Sequence, residues 1–546
     1  MPGRQPPAPT TRPHAGAGRP EHLECPLNTP PSTLDARPTS VDGVRLRDLV
    51  ALVPDVVPAG VPGADPTITG LSLDSQAARP GDLYAALAGS RTHGARYAKA
   101  AVAAGAVAVL TDPDGAQLLS PDAPGVPVLT APRPRAALGV LGAAVYGRPA
   151  ERLLMLGVTG TQGKTTVTYL LEAGLRGAGH VPGLVGTTGS VAAGRRIASR
   201  LTTPEAPDLH ALLAVMREQR VGACALEVSS HALVQGRVDG IVFDVACFLN
   251  LGRDHLDLHR DVESYWAAKA ELFVSGRARR AVIDVGDEWG RRLARRTDLP
   301  HVTCSTDPES TADWRVSGVR LTARGSVFDV LGPAGRRQPV RLPIPGAFNV
   351  RNALAAVATL AEAGLPLPGV AAGLAGVEGA PGRMQVIDEG QGFAAVVDYA
   401  HTPEAVEAVL STLRAATAGR LVLVLGAGGD RDPGKRPMMG RVAAELADVV
   451  VVTDDNPRTE DPAAIRAALL AGADESASHA QLVEQGDRAA AIRHAVALAG
   501  EGDTVVVAGK GHETGQEVRG TIHPFDDRAV LRQVLRAALR ERGQDG

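Results

Sequence analysis

The residues most plainly arranged for chemistry are Gly160, Thr161, Gln162, Gly163, Lys164, Thr165 and Thr166. They sit between an apolar run, Leu153 to Leu156, and a segment in which Val167, Leu170, Leu171 and Leu175 recur at helical spacing. The order is strand, glycine-rich loop, helix. Such a loop aims backbone N–H groups and a helix N-terminus at phosphate. Lys164 adds a point charge for the outer phosphates of a nucleotide, and a threonine hydroxyl can ligate Mg²⁺. The usual spacing would put a first glycine at position 158, which is Val158, so the loop is a variant with glycines at Gly157, Gly160 and Gly163. A turn that merely contains Lys-Thr is the alternative, and the order of the parts argues against it.

Further candidates follow apolar runs. Val221 to Leu226 ends in Glu227-Val228-Ser229-Ser230-His231, which puts a carboxylate where a nucleotide-binding sheet keeps its metal-binding acid. Ile241 to Leu249 runs into Asn250-Leu251-Gly252-Arg253-Asp254-His255-Leu256-Asp257, dense in acid and imidazole. A helix then carries Lys269 among Trp266, Leu272 and Phe273, a setting that would favour a neutral amine able to add CO₂. A lysine snorkelling to solvent fits the same residues. Gly346 to Ala353 opens a helix with Asn349 and Asn352 on neighbouring turns, and Pro381-Gly382-Arg383 closes this unit.

Beyond Arg383, three apolar strands each run into a polar loop: Leu421 to Leu425 into GAGGDRDPGKR, Val449 to Val452 into TDDNPR, and Val505 to Val507 into AGKGHE. Helical segments, Pro437 to Leu446 and Pro462 to Ala471, separate them. That alternation implies a parallel, doubly wound sheet with all three loops at its carboxyl edge. Arg431, Asp455, Asn456, Arg458, Lys510, His512 and Glu513 would converge there, a mixture of charges that suits a zwitterion such as an amino acid better than a phosphate. Asp398, at the end of another strand, is apt for ribose hydroxyls.

The elements that must position these groups form three α/β domains, as a length of 546 residues suggests at ~150 residues per domain. The expected boundaries are 1–40, a disordered tail holding ten of the 40 prolines; 41–149, a small α/β unit; 150–383, a central P-loop unit; and 384–546, a Rossmann-like doubly wound unit. An apolar fraction of 44% supports several cores, and a net charge of -3 gives no electrostatic footprint for nucleic acid or an anionic membrane. No apolar run is long enough to span a bilayer, and the first 40 residues lack the apolar core of a signal peptide. Cys25, Cys224, Cys247 and Cys304 show no metal spacing, and core thiols in a reducing cytoplasm are the expected state. Only five of the 57 basic residues are lysine, Lys99, Lys164, Lys269, Lys435 and Lys510. In a chain that uses arginine for generic cations, lysine is expected mainly where a compact, deprotonatable or point-like amine is needed, as at Lys164; chance retention is the alternative and would account for Lys99.

Taken together, TGTQGKTT, EVSSHAL, NLGRDHLD, YWAAK, GAFNVRN, DYAHTP, GGDRDPGKRPMMG, DDNPR and GKGHE resemble the Mur ligases, the ATP-dependent amide-forming family of peptidoglycan precursor synthesis. The resemblance runs from about Val41 onward. It implies ATP-driven attachment of meso-diaminopimelate to UDP-MurNAc-L-Ala-D-Glu through an acyl phosphate, by a cytoplasmic monomer. A lysine-adding or folylpolyglutamate-type ligase is the rival, and the DDNPR loop argues against it.

By the resemblance, Leu73, Ser75, Ser90, Arg91 and Thr92 hold the uridine end, and Thr202, Thr203, Ser229, Gln235 and Arg237 the muramoyl-peptide part. Gly160 to Thr166 with Asn349, Arg383 and Asp398 hold ATP, while Thr165, Glu227, His255 and a CO₂-derived carbamate on Lys269 surround Mg²⁺. Lys164, Glu227, His255 and Lys269 form the catalytic set. Arg431, Asp455, Asn456, Pro457, Arg458, Gly509 and Glu513 take the amino acid. The chain departs from the family pattern at Gln162, where asparagine is common, at Gly252, where serine is usual, and at Leu201, where some members have asparagine.

Overall fold

The computed structural model describes residues 35–59, 64–119, 125–197, 201–252, 259–476 and 479–544. At its centre lies a sheet of eleven strands. The loop-bearing strand Leu154–Thr159 pairs in parallel with Ala223–Glu227 on one side and Val245–Phe248 on the other. Parallel pairing continues outward to Pro182–Gly186 and through Ala281–Asp284 and His301–Ser305 to Trp314–Thr322. Antiparallel strands finish both ends, the longer extension being Trp314–Thr322, Gly325–Leu331 and Arg337–Leu342.

Strand alternation decides which helices cover each face. Leu156 and Val158 point into one apolar cluster with Val167, Leu170, Leu171 and Leu354, while Met155 points into the other with Leu209, Met216 and Trp266. Both faces of a parallel sheet must be covered, so its strands read as unbroken apolar runs. The helix Lys164–Gly177 buries the residues whose spacing announced it. It lies so close to the helix Leu367–Ala375 that a Cβ on Gly373 would stand 2.1 Å from the Ala173 carbonyl oxygen.

The last sheet has six strands in the order Gln385–Val386, Ala394–Asp398, Thr504–Ala508, Leu421–Leu425, Val449–Val452, Gln481–Glu484. All pairs are parallel except the first. Leu421, Leu423 and Leu425 face helices Pro403–Arg414, Lys435–Leu446 and Pro462–Asp474; Val422 and Val424 face Arg488–Leu498 and Asp527–Gln544. The three polar loops therefore leave the same edge, as the strand-helix alternation predicts. A hairpin, Gly515–Val518 with Thr521–Pro524, follows the last loop and has no counterpart in the sequence reading.

The first sheet holds five strands, parallel apart from its edge pair. Within the expected tail, residues 35–40 are docked. Arg37 makes a bidentate pair with Asp82 at 2.7 and 2.8 Å, and the Thr39 and Ser40 backbone N–H groups donate to Glu218 of the central unit at 2.8 and 3.2 Å. Among the described residues no helix is long and apolar enough to cross a membrane. Cys224, Cys247 and Cys304 are buried free thiols, and burial pushes the first two up to about 12.

Candidate active site

The glycine-rich loop is held from below and from the side. Gly163, at φ +88°, precedes the helix, and a Cβ there would stand 2.5 Å from Asn352 Oδ1, so the left-handed turn and the neighbouring helix Ala347–Glu362 both require glycine. Asn250 clamps the loop: its side-chain oxygen accepts from the Gln162 N–H at 2.9 Å, and its amide donates to the Gln162 carbonyl at 3.1 Å. Gly252, despite departing from the usual serine, donates its N–H to Thr161 Oγ1 at 2.9 Å.

Glu227, the last residue of its strand, is 1% exposed. Its carboxylate accepts from the Thr165 hydroxyl at 3.1 Å, the Thr187 N–H at 2.9 Å and the Thr187 hydroxyl at 3.0 Å. Burial pushes this carboxyl above its ordinary value, opposed chiefly by the nearby Lys164 ammonium. Lys164 Nζ donates to the carbonyls of Gly160 and Thr161 at 2.8 and 3.0 Å.

Lys269 does not snorkel. It is 1% exposed, donates to the Gly160 carbonyl at 2.9 Å and lies 4.5 Å from the centre of the Tyr265 ring. The snorkelling alternative fails because the helix Val262–Ala270 presents this face to the loop and not to water. His255 lies outside the described residues.

A cleft of about 630 Å³ opens above the loop. Thr161 to Thr166, Glu227, Asn349, Arg383 and Asp398 all line it, together with Asn250, Arg351 and Phe348. That volume suits a nucleotide-sized ligand. Asn349 donates to the Pro345 carbonyl at 2.7 Å and accepts from Asn352 at 3.1 Å, which orients its amide. The Asp398 oxygens accept from the Met384 and Ala400 N–H groups at 2.7 and 2.8 Å, and burial raises this carboxyl as well.

Beside the cleft, Thr203 is fully buried, donating to the Glu227 carbonyl at 2.7 Å. Arg237 donates to the Thr203 carbonyl at 3.1 Å and to Gln235 at 2.6 Å, and pairs with Glu205 at 3.1 Å. Thr202 meets Thr187 at 3.1 Å, and Ser229 caps its short helix by accepting from the Ala232 N–H at 3.2 Å. These groups form one polar wall. Leu73, Ser75 and the exposed Ser90-Arg91, with Thr92, follow two parallel neighbouring strands of the first sheet and share one edge, but do not line the cleft.

The third set meets at the edge of the last sheet. Lys510, with no side-chain exposure, donates to Asn456 Oδ1 at 2.9 Å and Glu513 Oε2 at 3.2 Å, with Asp455 at 3.7 Å. Asn456 in turn donates to Glu513 at 2.8 Å. Gly509, at φ +115°, brings its backbone against Asp455: a Cβ would stand 2.4 Å from Oδ2. Arg458 has φ +51°, donates its N–H to the Glu517 carbonyl at 3.0 Å, and pairs through Nε with the Glu517 carboxylate at 3.2 Å. The loop carrying Arg431 joins this group through the Gly429 N–H, which donates to the Asn456 carbonyl at 2.8 Å, and Pro457 packs on Gly429. Arg383 stacks over Tyr399 at 4.7 Å, and Tyr399 contacts His512, linking the cleft to this pocket.

Thr187, Asn250, Gln516, Glu517 and the Arg488–Asp527 pair escaped assignment from sequence. Asn250 and Thr187 each follow an apolar run, the signal that found Glu227, whereas Arg488 and Asp527 lie in no motif.

A P-loop sheet facing a Rossmann-like sheet across a nucleotide-sized cleft defines a nucleotide-dependent enzyme of the amide-ligase kind. The chain belongs to the Mur ligase family. The Mur ligase family catalytic domain matches residues 67–146, the Mur ligase middle domain 158–360, and the Mur ligase glutamate ligase domain 382–511. The chain is 51% identical over 503 residues to UDP-N-acetylmuramoyl-L-alanyl-D-glutamate--2,6-diaminopimelate ligase of Streptomyces avermitilis, covering 91% of this chain and 98% of that protein. It is 48% identical over 483 residues to the protein of the same name from Corynebacterium efficiens, covering 87% and 91%. A solved structure of a ligase of that name superposes with a TM-score of 0.67 at 33% identity, over 91% of this chain and 99% of the other.

Proposed function

We propose that this chain joins meso-diaminopimelate to UDP-MurNAc-L-Ala-D-Glu at the expense of ATP. The observation that carries this reading is the pairing of two sites: a P-loop cleft for the nucleotide, and at the edge of the last sheet a cluster of Asp455, Asn456, Lys510 and Glu513 with Arg458 beside it, carrying both signs of charge, which with Arg431 we read as the amino-acid pocket. A ligand with two carboxylates and two ammonium groups complements such a pocket, and Arg458 is the group that distinguishes it from lysine, which lacks the second carboxylate. The Streptomyces and Corynebacterium relatives, named for diaminopimelate, support the same choice.

The free side-chain carboxylate of D-glutamate attacks the γ-phosphorus of ATP, the bond to the β-phosphate oxygen breaks, and ADP leaves. An amine of diaminopimelate then attacks the acyl carbon, loses its proton, and phosphate departs through a tetrahedral intermediate. Activation is required because a carboxylate resists amines at neutral pH. Lys164 and the loop N–H groups offset charge on the transferring phosphoryl group. Thr202, Thr203, Ser229, Gln235 and Arg237 orient the peptide, and the first-domain loops at Leu73, Ser75 and Ser90 to Thr92 hold the uridine end. Asn349, Arg383 and Asp398 seat the nucleoside.

The hard-oxygen donors near the P-loop suit Mg²⁺: a buried carboxylate, Glu227, already oriented by the Thr165 hydroxyl. By the family resemblance, Thr165, Glu227, His255 and a carbamate on Lys269 would share the ion. Mg²⁺ there would neutralise charge on phosphate oxygens. Lys269, 1% exposed and turned toward the loop, is the side chain that would carry that carbamate. We place the reaction in the cytoplasm, carried out by a monomer, where ATP is available and buried thiols stay reduced.

Phosphate release from ATP is the test, measured with UDP-MurNAc-L-Ala-D-Glu and either diaminopimelate, lysine or no amino acid. Release that depends on both the nucleotide-sugar and diaminopimelate is the expected result. Equal release with lysine would overturn the choice of amino acid.

A further inference from the structure

The loops that follow Val449–Val452 and Thr504–Ala508 carry most of the proposed amino-acid pocket, yet their strands are not neighbours. Leu421–Leu425 lies between them and pairs with both, so the two strands share no ladder. The chain beyond the loops meets through a short backbone bridge, Arg458 N–H to the Glu517 carbonyl at 3.0 Å and Arg519 N–H to the Arg458 carbonyl at 2.6 Å, whereas at the strand ends the spacing is left to side chains. One buried guanidinium spans the gap. Arg488 donates through Nη2 to the Ala508 carbonyl at 2.8 Å and through Nη1 to the Asp454 carbonyl at 3.4 Å. Ala508 and Asp454 are the residues immediately before Gly509 and Asp455.

Arg488 is itself held by a bidentate pair with Asp527 at 2.7 and 2.8 Å, neither side chain having any exposure. Asp487 caps the helix Arg488–Leu498 and Asp527 opens the helix Asp527–Gln544, so the anchor rests on two rigid elements on the far face of the sheet. A second tier lies above it. Lys510 bridges Asn456 and Glu513, and Gln516 donates to the Asp455 carbonyl at 2.7 Å. The Arg488 charge also lies within electrostatic reach of Asp455 and Glu513.

We infer that the Arg488–Asp527 pair is a positioning device that sets the spacing between the Asp455–Arg458 and Gly509–Glu513 loops, and through it the selectivity for a diamino dicarboxylate; this rests on the pocket reading proposed above. A buried ion pair contributes little net stability compared with apolar residues of similar volume, and its best-attested use is to fix register. Here the same charge reaches the carbonyls that launch both loops. Neither side chain reaches the surface of the site. Their effect passes through Asn456, Arg458 and Glu513, whose convergence must hold to within a fraction of an ångström for a two-ended ligand to be read.

The test compares Arg488→Met/Asp527→Leu, which removes both charges together, and Arg488→Lys, which keeps a cation unable to reach all the acceptors. Melting temperature, KM for ATP, KM for diaminopimelate and the ratio of kcat/KM for diaminopimelate over lysine are measured in each. The expected result is a folded double variant with KM for ATP unchanged, KM for diaminopimelate raised about tenfold or more, and the diaminopimelate preference reduced in step. Arg488→Lys should show a smaller change in the same direction. Unchanged diaminopimelate kinetics in either folded variant overturns the inference, and so does a parallel rise in both KM values, which a merely structural pair would give. If the wild-type chain itself shows no diaminopimelate-dependent phosphate release, the pocket reading fails and takes the inference with it.

Discussion

Lys164 and Lys269 donate to one acceptor, the Gly160 carbonyl oxygen, at 2.8 and 2.9 Å. Two lysine side chains converge on a single carbonyl at the mouth of a phosphate-binding loop, where an anion and a divalent cation are both to bind. The cation would be disfavoured by Lys269 as an ammonium and favoured by Lys269 as a carbamate. With isotopically labelled bicarbonate, a carbamate carbon resonance is therefore expected in the wild-type protein and not in Lys269→Ala. A wild-type spectrum without that resonance at saturating bicarbonate would rule the carbamate out.

Lys164 acts at the phosphoryl group and not on the peptide. Removing one preorganised charge from a phosphoryl-transfer site costs roughly 10²–10³ in kcat. Lys164→Ala is expected to lose activity on that scale while binding UDP-MurNAc-L-Ala-D-Glu normally by calorimetry. Loss of that binding as well would move Lys164 out of the proposed role.

Much of this site was legible in the chain because parallel sheets put loops where apolar runs stop. Glu227, Asp398 and the loops at Asp455 and Gly509 each follow such a run, and each lies at a carboxyl edge. The direction of the Lys269 side chain was not legible. Its neighbours Trp266 and Phe273 fit either a buried amine or a snorkelling one, and a carbonyl over a hundred positions away decides between them. Arg488 was invisible for a related reason. It sits in an ordinary amphipathic helix, and its meaning depends on Asp527 and on two loop carbonyls distant in sequence. The antiparallel strands between Trp314 and Leu342 have one exposed face, so their mixed pattern carries little signal.

The Arg458 guanidinium is held at two points, the Glu517 carboxylate and the Gly429 carbonyl, while its backbone N–H donates to the Glu517 carbonyl. Such a guanidinium is set before the substrate arrives, and what it contributes should appear in binding. Arg458→Ala is expected to raise KM for diaminopimelate by roughly tenfold to a hundredfold, the worth of a charge-assisted hydrogen bond, with KM for ATP unchanged. Arg458→Lys should recover only part, since an ammonium cannot reproduce the fork. Unaltered amino-acid kinetics in both variants would remove Arg458 from the pocket.

His210 makes the junction of the first and central units sensitive to acid. It lies on the helix Ala206–Glu218, packs on Gly142 of the helix Pro134–Val145, and donates from Nε2 to the Asp239 carbonyl at 3.0 Å. Nδ1 is buried with no hydrogen-bond partner, so a second proton there would have nowhere to bond. Burial lowers the folded imidazole to about 4 from an ordinary 6.5, opposed by the hydrogen bond to the Asp239 carbonyl and the Asp239 charge. Above about 6.5 both folded and unfolded states are neutral at this position; as pH falls toward about 4 only the unfolded state gains the proton, so stability is lost across that window. The loss amounts to about 3 kcal/mol from this group. His210→Gln keeps a donor for the Asp239 carbonyl without titrating, so the wild-type advantage over it in denaturant unfolding should shrink by that amount between neutral pH and about 4. A difference that stays constant across the range would show that His210 does not set the acid limit.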